Sequence, residues 1–212
     1  MSDRVSLILS SAYFPPVQYF AEILRAGTII IENSESYSKQ NYRNRCNIYS
    51  ANGILPLSVP VERGSFHKVD IKYLKIDYSR KWQKNHIRAI KSAYNSSAFY
   101  EFYSDEIKAL IESGHKYLVD LNSTILDSML SLLEIDTALG FSKIFKKEYG
   151  AGCRDMREEI TPKKPIDIKA AEYFQVFSPK HGFIPNLSIL DLLFNMGPES
   201  VSYLRNFLPA KT

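Results

Sequence analysis

The pattern that most constrains the fold stands near the start of the chain, where a strand, a proline turn, a helix and a second strand follow one another. Residues 5–9 form an apolar run of strand length, and Pro15-Pro16 fits the first turn of a helix, where the missing N–H costs nothing. Apolar residues at helical spacing follow, and residues 28–31 are again an apolar run. So short a crossover implies two parallel strands with a right-handed connection.

The rest of the chain extends this start into a larger α/β arrangement. The spacing of apolar and turn residues predicts a hairpin at Asn52-Gly53, strands at 69–76, 137–142 and 172–177, and helices at about 80–94, 97–113 and 122–134. Asn122 or Ser123 is the predicted N-cap of the last helix. We therefore predict an α/β fold with a small, mostly parallel sheet, packed helices and a Rossmann-like strand–helix–strand at the N-terminus. Residues 1–142 are expected to form an α/β core domain, and residues 143–212 a C-terminal lid or helical extension packed on it. The charged residues 154–159 are predicted to be a loop.

The composition limits the classes of protein to which the chain can belong. With 212 residues, 45% of them hydrophobic and 24% charged, we expect a soluble globular protein with a full core. Its apolar runs fall short of the roughly 20 residues that a membrane span needs, and we expect neither a span nor a signal peptide. Cys46 and Cys153 have no metal or disulfide spacing, which favours a reducing cytoplasm. The histidines also lack metal-ligand spacing and no nucleotide-binding glycine motif occurs, so neither a metal nor a cofactor is predicted.

Two segments should lie at the carboxyl ends of the parallel strands, where open sheets bind their ligands: residues 10–16 and 32–45. The second segment is polar throughout and cannot contribute to a core. Guanidinium groups bind oxyanions bidentately and tyrosine hydroxyls orient sugars, so these side chains suit a phosphate, a carboxylate or a sugar. The candidate ligand-binding residues are Tyr13, Gln18, Tyr37, Lys39, Arg43, Asn44 and Arg45. An exposed loop with solvated charges would have the same composition, so both interpretations stay open.

The C-terminal part of the chain supplies further candidates. Asn186 or Ser188 is a suitable helix N-cap, and Asp191 stands three residues after Ser188, as in a capping box. The positive end of this helix would also favour an anion. These three residues are therefore predicted either as a structural cap alone or as a cap that also contacts the ligand. Lys163 and Lys164 follow a proline and are expected to be exposed, with anion binding as an alternative role.

Four blocks occur in order along the chain: Ser-Ala-Tyr-Phe-Pro-Pro-Val-Gln-Tyr-Phe (11–20), Tyr-Ser-Lys (37–39) with Arg-Asn-Arg (43–45), Leu-Ser-Val-Pro-Val (57–61) and Phe-Ile-Pro-Asn-Leu-Ser-Ile-Leu-Asp-Leu-Leu-Phe-Asn (183–195). Together they resemble the WbqC-like protein family. Many members begin the first block with Gln-Pro-x-Tyr-x-Pro, so a ligand contact made by that Gln is absent or replaced in this chain. Such proteins occur in O-antigen gene clusters and have been suggested to transfer glycine. The resemblance therefore implies a cytoplasmic transferase in surface polysaccharide or O-antigen biosynthesis.

Two classes of function are compatible with these residues. The first is a transferase whose small-molecule partner is a nucleotide-linked sugar or an activated acyl or aminoacyl donor. His86 is its candidate general acid or base, although a place on the same face as Trp82 also fits a core histidine. The second is a non-enzymatic nucleotide- or nucleic-acid-binding module, with Lys84, Arg88 and Lys91 as a basic stripe and Trp82 for stacking. No RNA-binding motif supports the second class, so a nucleic-acid partner is not expected.

Overall fold

The computed structural model describes residues 5–36, 41–62, 70–150, 152–164, 168–169 and 171–209. Its strands are β1 (Ser6–Ser10), β2 (Thr28–Glu32), β3 (Arg45–Ser50), β4 (Gly53–Ser58), β5 (Ala138–Phe141), β6 (Cys153–Asp155), β7 (Ile168–Lys169) and β8 (Leu208–Pro209). Its α-helices are α1 (Val17–Arg25), α2 (Trp82–Tyr94), α3 (Tyr100–Glu112), α4 (Leu118–Leu132), α5 (Ser178–His181), α6 (Ile189–Met196) and α7 (Ser200–Asn206). Short 3-10 turns lie at Ile71–Tyr73 and Gly197–Glu199.

The central sheet consists of four parallel strands in the order β5-β2-β1-β6. In β1 and β2, Ser6 lies opposite Thr28 and Ser10 opposite Glu32, and α1 connects the two strands. β5 extends the sheet beyond β2, which confirms the parallel strand predicted at 137–142. β6 pairs with the other side of β1. The α/β fold class is therefore confirmed.

The burial of β1 shows that the sheet is covered on both faces. Leu7, Ile8 and Leu9 are all buried, and a continuous apolar run is typical of a parallel strand between two layers. Side chains of α1, α4 and α6 belong to the same core cluster. The hairpin predicted at Asn52-Gly53 is confirmed by the antiparallel pairing of β3 with β4. None of the described helices is long and apolar enough to cross a membrane.

The strand predicted at residues 69–76 is wrong over its described part, residues 70–76, and residue 69 lies outside the residues that the structure describes. The structure has a 3-10 turn at Ile71–Tyr73 instead. At this turn Ile71 and Leu74, which are three residues apart, are buried, whereas Tyr73 is exposed; Ile76, beyond the turn, is buried as well. A spacing of three matches the 3-10 helix, in which side chains at i and i+3 lie on one face. The apparent alternation in the sequence depends on Tyr73 facing inward, and its exposure removes that pattern.

The strand predicted at residues 172–177 is also wrong. Burial does alternate here, since Tyr173 and Gln175 are buried while the residues before and after Tyr173 are exposed. No described strand pairs with this segment, however. Its buried side chains bind Asp191, which accepts from the Tyr173 hydroxyl at 2.5 Å and from Gln175 Nε2 at 2.8 Å. The alternation therefore reflects two buried polar contacts and not a sheet.

Helix α4 begins four residues earlier than predicted. Neither Asn122 nor Ser123 is its N-cap, because the helix starts at Leu118. The backbone N–H of Leu118 donates to the carbonyl of Leu74 at 2.9 Å, so a tertiary contact takes the place of a capping side chain. Asn122 consequently lies inside the helix, where it is buried.

The charged residues 154–159, predicted as a loop, begin with the last two residues of β6. The strand had no apolar pattern in the sequence because it is three residues long and pairs through its backbone with β1. Met156 continues the ladder, since its N–H donates to the carbonyl of Ile8 at 2.9 Å. The division of the chain at residue 142 stays a prediction, and the sheet takes a strand from each side of it.

Candidate functional site

A cavity of about 240 Å³ opens at the carboxyl ends of β1 and β6, and we call it the switch-point cavity. The sheet winds in opposite directions on the two sides of this point, because β2 and β5 lie on one side of β1 and β6 lies on the other. Open parallel sheets bind their ligands at such a topological switch point. Both segments predicted at the strand ends, 10–16 and 32–45, contribute residues to the lining. Residues 156–164 supply much of the remainder.

A larger cavity of about 620 Å³ adjoins the switch-point cavity. Arg43, Arg157 and Glu158 line both of them and form a shared wall. The other residues that line the larger cavity are Ser34, Glu35, Ser36, Asp70, Phe145, Lys147, Asp155 and Glu159. Carboxylates predominate there, whereas Lys163 and Lys164 add positive charge to the switch-point cavity. The two cavities therefore differ in the charged residues of their linings.

Arg43 is held firmly in the shared wall. Its Nε donates to Glu35 Oε1 at 2.7 Å and its Nη2 donates to Glu35 Oε2 at 2.5 Å, which makes a bidentate ion pair. Nη2 also donates to Ser10 Oγ at 2.9 Å. The carbonyl oxygen of Arg43 accepts a hydrogen bond from Asn122 Nδ2 at 2.8 Å. Because both side chains of the ion pair are buried, the Arg43 guanidinium is fixed in position and Glu35 balances its charge.

Arg157 is fixed on the other side of the wall. Its Nη2 donates to Asp155 Oδ2 at 2.5 Å, and its Nη1 donates to Glu32 Oε2 at 3.3 Å. The guanidinium carbon lies 5.2 Å from the ring centres of both Phe145 and Tyr149, within range of a cation–π interaction. The hydrogen bond with Asp155 raises the pKa of Arg157. Burial alone would raise the pKa of Asp155, but the hydrogen bonds from Arg157 bring it below its ordinary value.

Glu32 joins the carboxyl ends of three strands. It is the last residue of β2 and is fully buried. Its carboxylate accepts from the backbone N–H of Ser34 at 2.8 Å and from the hydroxyl of Ser142, which directly follows β5. It also accepts from the Tyr149 hydroxyl at 3.2 Å and from Arg157, two residues beyond β6. These contacts fix the geometry of the strand ends where the two cavities open.

The remaining charges at the cavities are exposed. Lys163 and Lys164 lie on the surface, and Lys164 Nζ is 2.8 Å from Glu159 Oε1. Glu158 has a side chain that is 85% exposed, and its Oε1 lies 3.9 Å from Arg43 Nη2. Long, hydrated lysine side chains keep their mobility at a surface, whereas the buried arginines cannot move. The site therefore combines fixed guanidinium groups, which are paired with carboxylates, and movable ammonium groups.

Tyr19 and Tyr42 add hydroxyl groups to the switch-point cavity. The Tyr19 hydroxyl donates to the carbonyl of Ser10 at 2.9 Å. Burial raises the pKa of Tyr19 well above its ordinary value and that of Tyr42 to about 12. Both hydroxyls therefore stay protonated near neutral pH. Among the described residues, no group of three or more His, Cys, Asp and Glu side chains could hold a metal ion.

Among the candidate ligand-binding residues that the structure describes, Arg43 lines both cavities. Tyr13 and His86 lie in the core instead, where the Tyr13 hydroxyl and His86 Nδ1 are 2.9 Å apart. The two are buried and do not belong to the lining of either cavity. Tyr37 and Lys39 lie outside the residues that the structure describes.

The predicted residues Gln18, Asn186 and Ser188 lie where the start of α1 meets the segment that leads into α6, and Asp191 lies within α6. Asn186 Oδ1 accepts from the backbone N–H of Gln18 at 2.8 Å and so caps the first turn of α1. Ser188 is the N-cap of α6, as predicted, and its hydroxyl accepts from the helix backbone at 3.4 Å. Asp191 is fully buried and accepts from Tyr173, so its carboxylate does not complete a capping box.

Asn44 and Arg45 lie next to Arg43 in the sequence but bind the hairpin. Asn44 Nδ2 donates to the carbonyl of Val59 at 2.8 Å. Arg45 is the first residue of β3, and its Nε donates to Ser58 Oγ at 3.3 Å. Their contacts anchor the segment that carries Arg43 to the two-stranded sheet.

His86 gives the protein a pH-dependent stability. Burial lowers the pKa of His86 to about 4, because a charged imidazolium is costly in the core. In the unfolded chain this pKa is about 6.5, so the unfolded state binds the proton more readily in acid. Stability is therefore lost as the pH falls from about 6.5 towards 4, by about 2 kcal/mol between pH 7 and pH 5. Asp191 acts in the opposite direction, since burial raises its pKa to about 6 and its protonation favours the folded state.

Comparison with the variant His86→Gln isolates this contribution. We expect the loss of unfolding free energy between pH 7 and pH 5 to be about 2 kcal/mol smaller in the variant than in the wild type. Urea unfolding at the two pH values measures the difference, and the contribution of Asp191 cancels because both proteins contain it. An equal pH dependence in the two proteins would show that His86 is not a neutral core residue.

Sequence reasoning missed several residues of the site. The sequence predicts a loop at Arg157 and a helix cap at Asn122 or Ser123. Ser10 and Ser11 belong to the segment 10–16 predicted at the strand end, but neither is among the candidate ligand-binding residues. Arg157 could have been found only by recognising β6 as a parallel strand beside β1. The residues that follow such a strand lie at the topological switch point. Because β6 has only three residues, its sequence shows no apolar alternation from which a strand could be predicted.

The structure also places the residues of the basic stripe. Lys84, Arg88 and Lys91 are exposed on α2. Trp82, by contrast, is 4% exposed and packs against the rings of His86 and Tyr13, with centroids 5.1 and 6.4 Å away. A buried indole is not available for stacking on a base. The stripe is therefore a set of solvated charges without the aromatic platform predicted for nucleic acid.

Comparisons with known proteins agree with the resemblance found in the sequence. The model of the WbqC-like protein family matches residues 10–156 and 163–203. A protein of Mycobacterium tuberculosis (strain ATCC 25618 / H37Rv), described as "Uncharacterized protein Rv1507c", is 31% identical over 224 residues, which cover 93% of this chain and 96% of that protein. No solved structure matches the chain. Ser10, Arg43 and Lys163 all lie within the matched ranges.

Proposed function

The chain belongs to the WbqC-like protein family, and on this premise we propose that it is a transferase which binds an activated, anion-bearing small molecule in the switch-point cavity. The observation that carries the proposal is the lining of this cavity, where two fixed arginines and two exposed lysines stand at the carboxyl ends of parallel strands. Guanidinium and ammonium groups at such a position recognise phosphate and carboxylate oxygens.

The proposed donor is a nucleotide-linked sugar or an activated acyl or aminoacyl compound. A volume of about 240 Å³ holds the anionic part of such a molecule but is smaller than most pockets that enclose a whole ligand, about 300–1,000 Å³. The rest of the donor would extend past Arg43 and Arg157 into the larger cavity. Phe145 offers aromatic surface for it there, and Tyr19 and Tyr42 offer aromatic surface in the switch-point cavity.

The acceptor would approach from the larger cavity, whose carboxylates and serines suit a hydroxyl or an amine. Glu158 lines both cavities and is exposed, so it is the carboxylate placed to take a proton from an acceptor during transfer. Buried His86 has no such access. Glycine transfer in the cytoplasm, during surface polysaccharide or O-antigen biosynthesis, is the specific reaction that the family resemblance favours.

A thermal-shift screen with nucleotides, nucleotide sugars and aminoacyl adenylate analogues tests this proposal. A ligand at 100 times its dissociation constant stabilises the folded protein by about 2.7 kcal/mol, which gives a clear rise in Tm. We expect one of these classes to stabilise the wild type. In the double variant Lys163→Ala/Lys164→Ala the same ligand should bind at least about tenfold more weakly, because contacts with charged groups contribute about 1.5–3 kcal/mol each.

The matched control is Lys84→Ala/Arg88→Ala, which removes two positive charges from the exposed stripe on α2. It changes the net charge by the same amount, so a general electrostatic effect would weaken binding in both double variants. Titrations at one fixed ionic strength make the comparison valid. Equal responses of the two double variants, or no stabilisation of the wild type by any class, would contradict the proposed site.

A further inference from the structure

We propose that the hydroxyls of Ser10 and Ser11 form an oxyanion-binding subsite in the switch-point cavity, and that Asn122 orients Ser11 for this role. Both serines line the cavity. The ligand group is a phosphoryl or carboxylate oxygen. The inference rests on the proposed function, because it assigns named hydrogen-bond donors to the anion that the cavity is proposed to bind.

The hydrogen bonds of the two serines leave their hydrogens available. Ser10 Oγ accepts from Arg43 Nη2 at 2.9 Å, and Ser11 Oγ accepts from Asn122 Nδ2 at 2.8 Å. A serine hydroxyl has one hydrogen to donate and two lone pairs that accept, and these contacts use lone pairs only. Neither hydroxyl donates to any residue that the structure describes. Each therefore retains a donor for a ligand.

The burial of Ser11 makes this retained donor significant. Ser11 is only 2% exposed, yet it lines the cavity. Buried polar groups in folded proteins almost always have hydrogen-bond partners, because a buried donor without one is costly. An oxyanion in the cavity would accept from Ser11 and Ser10 together. The positive charge of Arg43, which contacts Ser10, strengthens the donor character of that hydroxyl.

Asn122 determines the direction in which Ser11 donates. It is buried within α4, and its Nδ2 contacts both Ser11 Oγ and the carbonyl oxygen of Arg43, each at 2.8 Å. A carbonyl oxygen can only accept, so the contact with Arg43 fixes the amide with its NH₂ end towards both partners. Ser11 must then accept from Asn122 and keeps its own hydrogen for the cavity. Asn122 is thus a positioning residue that acts through Ser11.

Titration calorimetry of the full chain with pyrophosphate and with malonate tests the subsite, and the two probes distinguish phosphoryl from carboxylate ligands. Ser11→Ala should lower the affinity for whichever probe binds the wild type by about tenfold, because it removes one hydrogen bond to a charged group. Ser123→Ala is the matched control, since this neighbouring hydroxyl on α4 donates to the carbonyl of Val119 at 2.8 Å. Its affinity should equal that of the wild type.

Asn122→Asp tests the positioning role. The introduced carboxylate can only accept, so Ser11 should turn its hydrogen inward and binding should weaken by at least about tenfold. In that background the further change Ser11→Ala should cause little additional loss, because the hydroxyl no longer faces the ligand. A purely structural role of Asn122 would not produce this coupling in a double-mutant cycle. If Asn122→Asp fails to fold, as urea unfolding would show, Ser11→Ala alone decides the subsite.

The outcomes separate this inference from the proposed function. Weaker binding in Ser11→Ala, with unchanged binding in Ser123→Ala, supports the subsite. Wild-type affinity in Ser11→Ala together with weaker binding in Lys163→Ala/Lys164→Ala overturns the subsite and leaves the proposed function standing. Absence of binding of both probes to the wild type overturns the subsite, and the donor screen then decides the proposed function separately.

Discussion

Glu35→Ala should lower the free energy of unfolding by about 3 kcal/mol, the lower end of what the loss of one partner costs a buried ion pair. The variant would leave the Arg43 guanidinium without its bidentate carboxylate, whose oxygens lie 2.7 and 2.5 Å from Nε and Nη2. The side chain of Arg43 is only 6% exposed, so water cannot replace the lost partner fully. Water can reach Arg43 from the adjoining cavities, so the loss of unfolding free energy should lie at the lower end of the range. Urea unfolding at neutral pH measures the effect.

The control for this prediction is Glu159→Ala. Glu159 pairs with Lys164 at 2.8 Å, a comparable distance, but both side chains are about half exposed. Exposed ion pairs contribute about 0–1 kcal/mol, so this variant should unfold almost as the wild type does. If Glu35→Ala also remains within about 1 kcal/mol of the wild type, Arg43 is not held by Glu35 and the shared wall is not fixed as described.

Gly197→Ala should lower the free energy of unfolding by about 3 kcal/mol through two separate costs. Gly197 follows α6 with a φ of +52°, a conformation that strains a residue with a side chain. A Cβ at this position would lie 2.5 Å from Cδ1 of Phe99. Phe99 is itself anchored, because its N–H donates to the carbonyl of Phe194 at 3.0 Å. The ring therefore cannot move away without cost to the packing of α3 against α6.

A second glycine separates the two costs. Gly53 has a φ of +91° in the hairpin turn, but a Cβ there would meet no atom within 4 Å. Gly53→Ala should therefore show the conformational cost alone, about 1 kcal/mol. Thermal or urea unfolding of both variants gives the comparison. Equal losses in the two variants would mean that the Phe99 ring adapts and that the contact between α3 and α6 is looser than the distances indicate.

The fold could be predicted where the sequence carries a local signal. The apolar runs of β1 and β2, the prolines before α1 and the Asn52-Gly53 turn each specify a structure by themselves, and all of them are confirmed. The errors lie where tertiary contacts decide. A contact with Leu74 starts α4, Asp191 rather than a neighbouring strand explains the alternation near Tyr173, and backbone pairing alone makes β6 a strand.

The position of the candidate site could be predicted from the sequence better than the residues that form it. The rule for strand ends identified residues 10–16 and 32–45, both of which reach the switch-point cavity. Arg43 could be identified as a site residue because it stands in a polar segment of the chain. Asn122 and Arg157 could not, because their roles depend on the packing of distant elements against β1. The histidine that composition suggested for catalysis lies in the core, because its apolar neighbours on α2 bury it.

A crystal structure of the protein with bound pyrophosphate is the most direct test of the central claim, that the switch-point cavity receives an anion. The expected result places a phosphate oxygen about 2.6–3.0 Å from Ser11 Oγ, the usual range for such a hydrogen bond, with the group facing Arg43 and Lys163. Pyrophosphate bound instead along Lys84, Arg88 and Lys91, with none in the cavity, would contradict the claim.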